Sequence, residues 1–68
     1  MLGGMDVIQI KRLRLEFNIS ILEVAALTGL PSGFIEQIES ETIPVLESDL
    51  NRIAAVLQTL VKERLKKR

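Results

Sequence analysis

Between Asp6 and Asn18 the apolar residues Ile10, Leu13 and Phe17 recur at helical spacing, while Lys11, Arg12, Arg14 and Glu16 fill the other face. This pattern predicts an amphipathic first helix that ends at Asn18. The "SILE" at 20–23 has the form of a capping box, in which the Ser20 hydroxyl takes an orphan backbone N–H and Glu23 reaches back to the cap. It opens a short second helix with Leu22, Ala25 and Ala26 inward and Val24 as a further candidate, closed by Thr28–Gly29. Pro31 suits the first turn of a third helix, which buries Ile35 and Ile38 and runs to about Ser40. Pro44 breaks the chain. From Leu46 onward, Leu50, Ile53, Ala54, Leu57, Val61 and Leu65 repeat at three and four, predicting one long helix or two consecutive ones that finish in "KERLKKR". No stretch alternates with a period of two, so the pattern predicts an all-α domain of four or five helices.

Composition narrows the chemistry. The 68 residues make a single domain, 1–68, near the size at which one core only just offsets the entropy of ordering the chain. The only aromatic residues are Phe17 and Phe34, so the core is aliphatic. There is no Cys and no His, which removes disulfides, thiolate or imidazole metal ligands and the usual nucleophile–base pairs. Paired acids remain conceivable at Glu36, Glu39 and Glu41, or at Glu47 and Asp49. Without a histidine or a ligand-loop spacing these read as solvated helix faces. We therefore expect no metal, no cofactor and no enzymatic activity. The opening "MLGGM" lacks the regions of a signal peptide and no apolar run is long enough for a bilayer, so a cytoplasmic chain without membrane contact is expected. Residues 1–5 read as disordered or expression-derived, with Met5 as the natural start, and 62–68 as a basic tail.

Charge is segregated although the net charge is zero. Residues 1–15 carry +2, residues 16–50 carry seven acids and no base, and residues 51–68 carry +5. Such an asymmetry speaks to partners more than to fold.

The run "IKRLRLEFNISILEVAALTGLPSGFIEQIESETIP" followed by "LNRIAAVL" resembles the Xre/Cro-type helix-turn-helix family of phage repressors and bacterial regulators, over roughly Ile10 to Leu57. The order and spacing of the pieces carry the resemblance more than any one of them. It implies a compact lambda-repressor-like DNA-binding domain with a central helix-turn-helix. It also implies a partly buried ion pair between Arg14 and Glu39 that locks the reading helix to the scaffold. "SILEVAALTGL" is similar as well to the opening of mercury-resistance-type winged-helix regulators, but "ESETIP" is too short and acidic for a wing.

Carried onto this chain, the family's DNA-reading positions are Ser32, Gly33, Glu36 and Gln37. A Gln37 carboxamide can pair bidentately with adenine, and Ser32 can donate to a phosphate or base. Glu36 would accept from cytosine or repel phosphate, and Gly33 only lets the backbone come close. The family's phosphate-gripping glutamine is replaced by Ile21, and its usual glycine after the third helix by Glu41. Phosphate contacts are then left to Lys11, Arg12, Arg52 and the basic tail. Apolar residues at outward positions, Ile21 and Phe34 above all, and also Ile8, Leu15 and Val45, suggest the alternative: a helix-turn-helix scaffold turned protein-interaction module that binds a protein partner. Val56 and Leu60 beside the core stripe of the last helix suggest a two-fold homodimer through that helix, which would set two reading helices about one DNA turn apart.

Overall fold

The computed structural model describes residues 6–66, and the expectations for residues 1–5 and for the last two residues of the tail lie outside them. The described chain is four α-helices: α1, Val7–Glu16; α2, Ile21–Thr28; α3, Ser32–Glu39; and α4, Glu47–Lys66. α1 and α2 each pack against both α3 and α4. Nothing in these residues forms a strand, and no helix among them is long and apolar enough to cross a membrane.

Local chemistry explains each boundary. Asp6 caps α1: its carboxylate accepts from the Gln9 N–H at 2.8 Å and the Gln9 side chain accepts from the Asp6 N–H at 3.0 Å. Ser20 and Glu23 do the same for α2, at 3.0 and 2.9 Å. Ile19, the residue before that cap, is buried, as is Val24 four residues into the helix, so the two occupy the positions of a hydrophobic staple.

All three short helices stop on a residue in the left-handed region: Asn18 (φ 56°), Gly29 (φ 79°) and Glu41 (φ 60°). After α1, the Ile19 N–H bonds the Arg14 carbonyl and the Asn18 N–H bonds that of Leu15. After α3, the Thr42 N–H bonds the Gln37 carbonyl and the Glu41 N–H bonds that of Ile38. Both are Schellman closures. Gly29 closes α2 with a single bond from its N–H to the Ala25 carbonyl.

The core is Ile10, Ile19, Val24, Ile35, Ile38, Ile53, Ala54, Leu57 and Leu60. Its lining corrects several expectations. α1 is shorter at both ends than Asp6–Asn18, because Asp6 serves as its cap and Asn18 turns left-handed. Pro31 lies one residue before α3, as its N-cap in extended backbone, instead of inside the first turn.

α2 is turned by about one residue from the expected register. Its inward stripe is Ile21, Val24, Ala25 and Thr28, spaced at three, four and seven. Leu22 and Ala26 consequently face out, Leu22 with 70% of its surface exposed, whereas Ile21 is half-buried against the core. Phe34 is half-buried too, one step from Ile35 on the inner face of α3. Ile21 and Phe34 are thus each only partly exposed. Val45 packs partly onto the core, while Ile8 and Leu15 are exposed as expected.

α4 is one continuous helix whose inward line runs through Leu50, Ile53, Leu57 and Leu60. Leu60, expected beside the core as interface surplus, is therefore core. Leu46 precedes the helix and Leu65 falls beyond its packed length, so both are exposed instead of belonging to the stripe.

Candidate functional site

α3 presents the expected reading residues, and its placement rests on both of its ends. At its start, the buried Thr28 hydroxyl donates to the Val24 carbonyl at 2.9 Å and accepts the Leu30 N–H at 3.2 Å, bracing the turn that enters the helix. At its end, Glu39 meets Arg14 of α1. The guanidinium Nε donates to Glu39 Oε2 and Nη2 donates to Oε1, each at 2.8 Å, and Nη1 donates to the Ile19 carbonyl at 2.9 Å. Only 11% of the Arg14 side chain and 5% of the Glu39 side chain remain exposed. The hydrogen bonds Arg14 donates to Glu39, and the negative charge of that carboxylate, hold the Arg14 proton more tightly than usual, against the opposing effect of burial. One bidentate fork thus ties α3, α1 and the α1–α2 connection together.

Ile35 and Ile38 turn inward from α3, while Gly33, Glu36 and Gln37 are exposed and Ser32 is half-buried. A Cβ added at Gly33 would meet nothing within 4 Å, so that position is open outward. The Gln37 carbonyl is occupied by Thr42 and by the Ser40 hydroxyl, but its carboxamide makes no hydrogen bond within the described residues. No lysine or arginine lies on α3 or on either connection beside it.

The expected phosphate-binding bases separate into two places. Arg52 is exposed on α4, the helix that also carries the exposed Lys62 and Lys66. Lys11 and Arg12 instead line a shallow groove of about 350 Å³ on the outer face of α1, with Ile8, Leu15, Glu39 and Glu41.

Two features escaped sequence reasoning. Arg64 of α4 donates to both oxygens of Glu23, at 2.9 and 3.0 Å, joining the α2 capping box to the end of α4. Glu23 is held below the usual carboxylate range, first by the Ser20 N–H and then by Arg64. No spacing rule connects residues so far apart in the chain. The second feature is the stripe Ile8, Lys11, Arg12, Leu15, whose spacing of three, four and seven was a legible sign of one helix face.

No protein-family model, curated protein or solved structure matches this chain. Its function is accordingly argued from geometry and chemistry.

Proposed function

We propose that the chain is a sequence-specific DNA-binding regulator of the Xre/Cro type, with α2 and α3 as the helix-turn-helix of a lambda-repressor-like domain that works in the cytoplasm. The observation that carries this reading is the pairing of a fixed helix with an unengaged face: α3 is clamped by Arg14–Glu39, yet Gln37 keeps its carboxamide free and exposed. In this reading Gln37 pairs with adenine, Ser32 donates to a base or phosphate, Glu36 accepts from a cytosine amino group, and Gly33 permits close backbone approach. Arg52, Lys62 and Lys66 supply phosphate contacts. Lys11 and Arg12, the other bases expected to touch phosphate, line the α1 groove beside Glu39 and Glu41. A dimer would double the reading helices. Along the second half of α4, however, burial of Leu60 leaves only Leu65 and the half-buried Val56 and Val61 for the homodimer contact expected through that helix.

The test is fluorescence anisotropy of a labelled random duplex pool at several salt concentrations. Three phosphate contacts per protomer give a log–log slope of about −3. Absence of binding even at low salt would remove the reading.

A second reading, a helix-turn-helix scaffold serving as a protein-interaction module, is favoured by Leu22 and Leu27 on the outer side of α2, 70% and 58% exposed on a helix that is otherwise almost wholly apolar. Gln37→Ala relaxes sequence preference under the first reading and changes nothing under the second. Leu22→Ser leaves DNA affinity intact under the first and abolishes complex formation under the second.

A further inference from the structure

The groove on α1 has exposed apolar and charged groups that nothing among the described residues covers or pairs. Ile8 and Leu15, both more than half exposed, flank Lys11 and Arg12 on one helix face. Neither cation has an ion-pair partner among the described residues. Of the two carboxylates in the groove, Glu39 is already taken up by Arg14, which leaves Glu41 at the lip as a single opposing charge.

The entry to α4 shows the converse pattern. Leu46, 69% exposed, is followed by Glu47 and Asp49 in the first helical turn, and neither acid has an ion-pair partner among the described residues. An exposed leucine followed by an exposed Glu47 and a half-buried Asp49 thus stands on the same molecule that carries an apolar groove with two unpaired cations.

We propose that the α1 groove receives the Leu46–Asp49 segment of a second copy of this chain, with Leu46 seated between Ile8 and Leu15, the exposed Glu47 facing Lys11 and Arg12, and Asp49 adding its negative charge to the same helix start. A two-fold axis makes the contact twice and closes the assembly as a dimer. Packing α1 directly on α1 would engage the same apolar residues but set Lys11 and Arg12 against their own copies, and like charge disfavours it. In sequence, only residues 42–45 separate Glu41, in the groove, from Leu46. The contact has few apolar groups and exposed charges, which places it among small interfaces and makes it weak and salt-sensitive. This association is independent of whether α3 reads DNA.

Sedimentation velocity across micromolar to millimolar concentration tests it, with three variants checked for native helicity by circular dichroism. The wild type is expected to dimerise reversibly and to dissociate as salt rises. Lys11→Glu with Arg12→Glu, and separately Glu47→Lys with Asp49→Lys, each weaken self-association by at least about tenfold. Mixed one to one, these two variants pair with each other, because each presents a groove and a segment of the sign the other needs. Leu46→Ser weakens the dimer without altering any charge, and it tests the contact even where a charge reversal fails to fold. A wild type that stays monomeric throughout overturns the proposal. So does a dimer indifferent to Leu46→Ser, or a pair of folded charge-reversed variants that fail to associate when mixed.

Discussion

Replacing Arg14 by Met removes the cation from a carboxylate that is 5% exposed and leaves the Ile19 carbonyl without its guanidinium donor. Breaking a buried pair from one side costs about 3–5 kcal/mol, because the remaining charge is neither paired nor solvated. A chain of this length has a total stability of about 3–10 kcal/mol at 0.05–0.15 kcal/mol per residue, so the variant sits close to its unfolding threshold at neutral pH. With a urea m-value of about 1 kcal/mol/M, the midpoint falls by about 3–5 M. Adding Glu39→Leu removes the stranded charge and brings stability back to within about 1–2 kcal/mol of wild type, the residue being the orphaned Ile19 carbonyl. Urea melts followed by circular dichroism at pH 7 measure both variants. A loss below about 1 kcal/mol for Arg14→Met would equate the pair with an ordinary surface ion pair and refute its role as the clamp on α3.

Three further outcomes are expected. Glu41→Gly relieves a left-handed backbone, worth about 1–2 kcal/mol, against a glycine entropy cost of about 0.5–1 kcal/mol. The net gain raises the thermal midpoint by about 4 °C, and an unchanged or lower midpoint in a calorimetric scan refutes this. Leu60→Ala costs about 2–5 kcal/mol as a core truncation, whereas the exposed Leu65→Ala stays within about 0.5 kcal/mol; equal losses in urea melts would return Leu60 to the surface. Glu23, depressed by the Ser20 N–H and Arg64, contributes stability that is present above its unfolded pKa of about 4.3 and is lost as pH falls through its lower folded value. Glu23→Gln should flatten the stability profile below pH 5, and identical wild-type and variant profiles would rule that out.

The chain's own pattern was sufficient for four or five helices in the right order, for Ser20–Glu23 as a cap, and for Gly29 as a stop, because these depend on contacts within one turn of backbone. The Asp6–Gln9 cap is equally local and was readable from its spacing of three. Glu41 was not readable as a left-handed terminator, since nothing in its side chain favours that conformation. The bonds from Thr42 and Glu41 back to Gln37 and Ile38 impose it. The rotation of α2 was likewise invisible. "ILEVAALT" is apolar on nearly every side, so its periodicity left two adjacent faces almost equally eligible for burial.

What the sequence by itself determined is the all-α class, the helix boundaries to within a residue or two, the separation of acidic middle from basic ends, and the absence of thiol and imidazole chemistry. What only the tertiary structure decided is which leucines are core and which are surface. Leu60 went in, and Leu22, Leu46 and Leu65 stayed out, because burial depends on where neighbouring helices end. It also sorted the bases: Arg14 and Arg64 are engaged in ion pairs across long stretches of chain, while Lys11 and Arg12 are left facing a groove with apolar walls. Charge type is written residue by residue, but a charge acquires a partner only when distant segments are brought within about 4 Å, and that is a property of the fold.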